Sequence, residues 1–230
     1  VRYKPRAHAG DPKAPRIPRD VLEGRRWSDF CALCETDRSN AVEMDTVVGR
    51  QGKDRQCILT VFLRRIGFQF YMLLPDKSAS SVVGAIDTLH SICGKRFSKL
   101  FGLVLCDRGP EFADARRIEC AKNGAKRLAL FYADPQQSQQ KARAERCHEE
   151  LRRILPKGKT DFDALTKSDM ARVMSHVNSY LRGSMDWTSP AEMARVLLGP
   201  DVLDAYGVEA IDPREVNLTP ALVPHAIARF

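Results

Sequence analysis

Apolar and polar residues in the first 132 positions form short runs that are typical of β-strands. Three of these runs are rich in β-branched and aromatic residues, and the short link 64–67 predicts a hairpin between the second and the third. Two further apolar runs follow, each after a stretch with a helical pattern. The predicted strands are 41–48, 56–63, 68–74, 103–106 and 128–132.

Longer stretches repeat their apolar residues every three or four positions, which predicts amphipathic helices; the stripe over 82–93 is one example. Thr166 followed by Asp169, and Ser189 followed by a proline and Glu192, have the pattern of capped helix starts. The predicted helices are 20–35, 78–93, 112–123, 136–155, 166–181 and 189–198, with a turn at 37–40.

The order of these elements up to the fifth strand is β-β-β-α-β-α-β. Strands separated by helices favour parallel pairing with right-handed crossovers, so the first and fourth strands become neighbours. We therefore expect an α/β fold with a mixed five-strand sheet, helices on its faces and further helices near the C-terminus. The tail 200–230 has only short apolar pieces between prolines and glycines.

Composition narrows the class of protein. The chain has 230 residues, 43% of them hydrophobic, which suits one large domain or a domain with extensions. A net charge of +8 favours a polyanionic partner, most often nucleic acid. No apolar run is long enough to span a membrane, and no signal peptide is evident. Seven cysteines, including the pair Cys31 and Cys34, are interpreted as reduced intracellular thiols, the pair lying on a short helix and not at a zinc site.

The first 20 residues are basic and rich in proline, which excludes a regular helix. They form either a linker or nucleic-acid-contacting arm, or an unstructured solubilising tail. Because the chain starts with Val1, we interpret it as a fragment or a processed piece.

Three acidic residues stand where folding does not need them. Asp45 interrupts the first predicted strand, Asp107 follows the fourth, and Glu145 lies on the predicted helix after the fifth. Two carboxylates on neighbouring strands repel each other, and a bound divalent cation removes that repulsion. Oxygen ligands of this kind suit Mg²⁺, with Mn²⁺ able to substitute, and a two-metal site cuts and joins phosphodiesters.

Each acid also has a structural explanation. Asp45 can lie on an exposed strand face, since it shares a face with Glu43. Asp107 begins a sequence that is common in turns. Glu145 can pair with Lys141 or Arg152 on a solvated helix.

Four segments carry a resemblance to a known family. Residues 43–49 read EMDTVVG, residues 106–112 read CDRGPEF, and YADP at 132–135 is followed by Glu145 and by RRILPK at 152–157; SPAE stands at 189–192. Together they resemble the integrase-type catalytic core of DDE transposases, specifically the insertion-sequence thirty family of bacterial mobile elements.

The resemblance implies a ribonuclease-H-like core at 41–199, between an arm and short helix at 1–40 and a tail at 200–230. It implies that Asp45, Asp107 and Glu145 hold two Mg²⁺ ions. The implied activity is cleavage of transposon-end DNA and transfer of the freed 3′-hydroxyl into target DNA. A homodimer or larger synaptic assembly, in the bacterial cytoplasm and associated with the nucleoid, is implied as well.

The chain departs from the family pattern beside the triad. Arg108, Ala144 and His148 stand where the family has asparagines, and the family's helix-turn-helix region has no counterpart in 1–40. Two alternatives therefore stay open: a ribonuclease-H-like nuclease without joining activity, and a non-catalytic DNA-binding relic of a mobile element. The candidate DNA contacts are Arg108, Lys141, His148 and Arg152.

Overall fold

The computed structural model of the chain describes residues 17–227, without the side chains of residues 138, 142–146 and 184. Most of the predicted basic arm and the last three residues of the tail lie outside the described residues. Across the described range, no helix is long and apolar enough to cross a membrane.

A five-stranded mixed sheet forms the centre of the fold, with the order β3-β2-β1-β4-β5. β1 pairs antiparallel with β2, and β2 with β3, while β1–β4 and β4–β5 are parallel. This confirms the predicted meander, the hairpin at 64–67 and the adjacency of the first and fourth strands. The strands are β1 Val42–Val48, β2 Cys57–Leu63, β3 Phe68–Leu74, β4 Leu103–Cys106 and β5 Ala129–Tyr132.

Helices lie on both faces of the sheet, as predicted. Capping boxes at Thr166–Asp169 and Ser189–Glu192 fix the starts of α7 and α8. In each box, the side chain of one residue accepts a hydrogen bond from the backbone N–H of the other. The α-helices of the described range are α1 Trp27–Cys31, α2 Glu35–Asn40, α3 Ala79–Cys93, α4 Phe97–Phe101, α5 Ala115–Glu119, α6 Ala142–Ile154, α7 Lys167–Ser179, α8 Pro190–Leu197 and α9 Pro200–Ala205.

The N-terminal part of the helix prediction is wrong. Gly24 has a positive φ of 69°, which ends any helix begun at residue 20. The chain instead forms α1 and α2, so the predicted turn at 37–40 is helical. Cys31 is the last residue of α1 and Cys34 directly precedes α2, so the two cysteines do not share one helix, and both thiols are free and exposed.

Two further differences follow from local backbone chemistry. The predicted helix 112–123 is limited to α5, because the Asp114 side chain caps its start and Cys120 leaves the helix to bridge Lys126. The helices predicted from the sequence did not include α4 or α9. α9 begins where Gly199, at a φ of 92°, turns the chain into Pro200 at the first helical position.

Strand alternation separates two apolar clusters. Val42 and Met44 belong to the main core, which also contains the buried stripe of α3. Leu105 packs on the opposite face in a smaller cluster with Phe30 and Phe131. α1, α2 and α6 contact the sheet at β5, β4 and β1 respectively.

Candidate active site

The pairing of β1 with β4 brings Asp45 and Asp107, two of the predicted metal ligands, to neighbouring positions. The parallel register aligns Val42 with Val104 and Glu43 with Leu105, and two more residues along each strand lead to Asp45 and Asp107. Because side chains alternate in direction along a strand, both acids lie on the sheet face of Leu105.

Lys141 is the cation of this site. It is only 7% exposed, and its Nζ donates a 2.8 Å hydrogen bond to Asp45 Oδ2. Burial acts to lower the pKa of Lys141, but the charges of Asp45 and Asp107 outweigh it, so the pKa is raised and the ammonium form is favoured. The prediction that Lys141 contacts DNA is not tested by this contact, which is internal to the protein.

Asp107 is short of compensating contacts. Burial raises the pKa of its carboxyl, and the neighbouring Asp45 adds to the rise, while Lys141 and the backbone N–H of Gly109 act against it. The net result is a raised pKa. The N–H of Gly109 donates to Asp107 Oδ1 at 2.9 Å. An aspartate that resists ionisation beside a second carboxylate is the electrostatic situation that a divalent cation relieves.

A third carboxylate, Glu111, lies behind the pair and was missed in the sequence. It is 1% exposed, accepts a 2.5 Å hydrogen bond from Thr46 Oγ1, and lies 3.2 Å from Lys77 Nζ. Its Oε2 is buried and has no hydrogen-bond partner within the described part of the chain. The only signal in the sequence was its place inside the segment that begins with Asp107.

Gly109 is required by this packing. A Cβ there would overlap the carboxylate of Glu111, so the turn after Asp107 must approach that side chain with bare backbone. Thr46, which donates to Glu111, directly follows Asp45 in β1. Glu111 therefore ties the turn after Asp107 to the strand that carries Asp45.

The third predicted ligand, Glu145, has its backbone on α6, the helix that packs against β1. Its side chain is not among those the structure describes. Among the side chains that are described, no group of three His, Cys, Asp or Glu residues is arranged to hold a metal. The assignment of Asp45, Asp107 and Glu145 as a triad therefore stays a prediction.

The other predicted DNA contacts make bonds within the protein. Arg108 pairs with Asp134 at 2.9 Å. His148 Nε2 lies 3.2 Å from Thr60 Oγ1, whose hydroxyl also donates to the backbone oxygen of Asp45. His148 is therefore part of the network around the site, although its role toward DNA stays a prediction.

Arg152 has a packing role that the sequence did not indicate. It donates to the Val48 carbonyl oxygen at 2.8 Å and stacks over the Phe162 ring, 5.9 Å from the centroid. Burial lowers the pKa of this guanidinium. With His148, it fastens α6 to the antiparallel strands and fixes where that helix lies relative to Asp45.

Comparison by sequence gives one curated relative. The protein named "Putative integrase ORF3", from Spiroplasma virus SpV1-R8A2 B, is 29% identical over 173 residues, which are 73% of this chain and 51% of the relative. The chain thus spans about half the length of the relative that it matches. No protein-family model matches the sequence.

Comparison by structure gives retroviral integrases. The simian T-cell lymphotropic virus intasome, solved with the PP2A regulatory subunit B56 gamma, matches with a TM-score of 0.50 and 11% identity over 67% of this chain and 53% of that chain. The BIV integrase catalytic core matches at 0.47 and 23% identity, over 67% and 93% of the two chains. The HTLV-2 core, solved with magnesium in a trimeric form, matches at 0.45 and 11%, over 67% and 95%.

These findings establish the fold and a general likeness. The mixed sheet with the order β3-β2-β1-β4-β5 and helices on both faces is ribonuclease-H-like, which confirms the predicted fold class. The chain is similar in sequence to a putative integrase and in fold to the chain of the retroviral intasome.

Proposed function

We propose that this chain is the catalytic part of a DDE transposase of the insertion-sequence thirty family. It would cut DNA at the end of a mobile element and join the freed 3′-hydroxyl to target DNA. The observation that carries the proposal is the pair Asp45 and Asp107, on adjacent parallel strands and facing one buried ammonium. Two acids and a buried cation are costly to a fold that gains nothing else from them.

The residues fit a divalent metal. Asp45 and Asp107 offer the carboxylate oxygens that Mg²⁺ prefers, and Mn²⁺ suits the same ligands. The pKa of Asp107 is raised, first by burial and then by the charge of Asp45, although Lys141 acts against the rise; a divalent cation at this position would favour the ionised carboxylate. We infer that Glu145 completes a site for two ions.

The chemistry follows from charge placement. When bound, the metal ions would activate the attacking hydroxyl or water and stabilise the leaving oxygen of the phosphodiester. Asp45 and Asp107 would hold these ions at the scissile phosphate. Lys141, on being released from Asp45, is positioned to neutralise a phosphate oxygen. Glu111 keeps the turn after Asp107 against β1 throughout.

Partners and domain limits belong to the same proposal. DNA is the partner, with Arg108, Lys141, His148 and Arg152 as contacts, and two or more protomers assemble on the element ends. The core at 41–199 performs the chemistry, while 1–40 and 200–230 extend it. The protein acts in the bacterial cytoplasm at the nucleoid.

A product assay tests the proposal. The full chain is incubated with Mg²⁺, a plasmid target and labelled duplexes taken from the DNA on either side of its coding region. We expect nicked duplex and plasmid-joined product, both absent in Asp45→Asn and after chelation of the metal.

Other outcomes identify the alternatives. Nicking by the wild type without any joined product indicates a nuclease. A wild type that forms no product and shows no Mg²⁺ binding by calorimetry above the level of Asp45→Asn indicates a non-catalytic relic.

A further inference from the structure

A cavity of about 460 Å³ lies beside the carboxylate pair and has no part in the chemistry described above. It is lined by residues from α1, α2, β1 and the segment before α6. Glu43, in its wall, is two residues before Asp45 and lies on the same face of β1. Gln140, also in the wall, directly precedes Lys141.

The cavity is connected to the catalytic turn by hydrogen bonds. The side chain of Gln140 accepts from the backbone N–H of Asp134 at 2.7 Å. The carboxylate of Asp134 in turn pairs with Arg108, next to Asp107. A ligand held at Gln140 is therefore held at a fixed position relative to the carboxylate pair.

One wall is aromatic. Trp27 stacks on Phe30 with 5.3 Å between ring centroids, and Arg64 lies over Phe30 at 5.7 Å. Phe30 is buried, whereas Trp27 is half-buried, so part of the indole faces the cavity. The backbone oxygen of Arg25, near Trp27, accepts from the N–H of Tyr132 at 2.7 Å, which anchors α1 to β5. The indole is thus a fixed platform of the kind that stacks bases.

The charges of the wall are balanced. Two arginines, Arg38 and Arg64, face two glutamates, Glu35 and Glu43, and the Nε of Arg64 donates to Glu43 at 2.5 Å. A site for bare phosphate needs excess positive charge, and the described side chains that line this cavity have none. Donors and acceptors around an aromatic platform suit a nucleobase, whose edge carries both.

One donor in the wall is unused. The Nε of Arg38 is buried and has no hydrogen-bond partner among the described residues. A buried donor without an acceptor costs free energy, so the position favours a ligand that brings one. A base carbonyl or the phosphate of the same nucleotide supplies it.

We infer that this cavity binds an unpaired nucleotide of the DNA strand whose neighbouring phosphate lies at Asp45 and Asp107. The base stacks on Trp27, and Arg38 donates to the nucleotide. The inference rests on the proposed function, because it needs DNA at the carboxylate pair. It adds that the protein selects DNA with an unpaired nucleotide next to the reacting phosphate.

Trp27 itself reports on binding. The chain has two tryptophans, and the other, Trp187, is 72% exposed, so Trp187→Phe leaves Trp27 as the only indole signal. The full-length variant is titrated with a blunt duplex and with the same duplex carrying two unpaired nucleotides at one end. We expect the unpaired end to quench Trp27 fluorescence and to bind about tenfold more tightly than the blunt end, the size typical of one base stacked on an aromatic ring.

Substitutions in the wall test the cause. Trp27→Leu and Arg38→Gln, assayed by anisotropy of labelled DNA, should each reduce the preference for the unpaired end to less than twofold. Arg65→Gln removes the same charge from the exposed residue beside Arg64, outside the cavity, and should keep the preference. Thermal melting of each variant confirms that it is folded.

The outcomes separate this inference from the proposed function. Equal affinity for both duplexes, or unchanged Trp27 fluorescence, overturns the cavity's role even if the wild type forms joined product. Quenching by the unpaired end that is lost in Arg38→Gln supports the cavity even if no product forms. A chain that binds neither duplex overturns both.

Discussion

Two largely buried aspartates of this protein, Asp54 and Asp107, have opposite surroundings. Asp54, in the turn after β1, accepts hydrogen bonds from the N–H of Arg50 at 2.6 Å, from Arg50 Nε at 2.8 Å and from the N–H of Phe162 at 3.1 Å. Among the described residues, Asp107 accepts only the N–H of Gly109. Among the described residues, Asp54 thus has three donors and Asp107 has one.

The pKa values move accordingly. Burial acts to raise the pKa of Asp54, but the hydrogen bonds from Arg50 and Phe162 outweigh it, so the pKa is lowered. Burial also raises the pKa of Asp107, and there Asp45 adds to the effect, so the pKa stays raised. A structural acid is thus recognised by its donors, and a candidate metal ligand by their shortage.

The largest expected effect comes from removing the charge of Asp107. Asp107→Asn should reduce strand transfer by at least about 10³-fold, because loss of a metal-ligand carboxylate removes several kcal/mol of transition-state stabilisation. DNA binding should be nearly unchanged, since most of it comes from contacts of lysine and arginine with phosphates, which the substitution keeps. Strand-transfer assays and DNA-binding anisotropy on the same preparation measure both. Equal losses of binding and transfer would refute a catalytic role for Asp107.

Asp54→Asn is the matched substitution on the other side of the comparison. It should lower the free energy of unfolding by about 2 kcal/mol, because hydrogen bonds to a charged group are lost with no replacement. Strand transfer per folded molecule should stay within about twofold of wild type, since a change well below 1 kcal/mol in the barrier is expected. Denaturant unfolding and an assay corrected for the folded fraction check the two halves. A large loss of transfer in a folded Asp54→Asn protein would erase the distinction between the two acids.

The sequence predicted much of this from local patterns. β1 to β5 were identified because their apolar runs are short and bounded by polar or glycine residues. Asp45 and Asp107 were identified because a charge in or beside such a run needs an explanation. α1 and α2 were mispredicted, because the positive φ of Gly24 and the break between the two helices are not visible in the periodicity of apolar residues.

Other features depend on contacts between distant residues. The Lys141–Asp45 bond joins residues 96 positions apart, and Thr46–Glu111 joins residues 65 apart. No pattern in a single sequence predicts hydrogen bonds between residues so far apart. Gly49, within the segment that resembles the family, is required because a Cβ would overlap Asp54 and the Phe162 ring. Part of the resemblance therefore reflects packing around Asp54.

A smaller effect is expected from Lys141, the cation that partly compensates the site. Lys141→Met removes the charge that competes with a metal for Asp45 Oδ2. Mg²⁺ should therefore bind at least about fivefold more tightly, which corresponds to about 1 kcal/mol, the value for one pair of charges in water and a lower limit at a buried site. Calorimetric titration measures the change. Lys122→Met, at an exposed position outside the site, should leave the Mg²⁺ affinity unchanged. Weaker Mg²⁺ binding in Lys141→Met would mean that Lys141 assembles the site and does not compete for it.

The smallest effect is a difference in how the two aspartates link stability to pH. The pKa of Asp54 is lowered in the fold, so its stabilisation is present above the ordinary aspartate value of 3.8 and is lost as the pH falls through the folded pKa. The pKa of Asp107 is raised, so its ionisation costs stability as the pH rises from 3.8 through the folded pKa.

In metal-free buffer, Asp54→Asn should be less stable than wild type at pH 7 and should approach the stability of wild type in acid. Asp107→Asn should be as stable as wild type or more stable at pH 7, because the cost of ionising Asp107 is removed. Melting temperatures of the three proteins across pH 3 to 8 give the two differences, and curves of the same sign would show that the fold treats both acids alike.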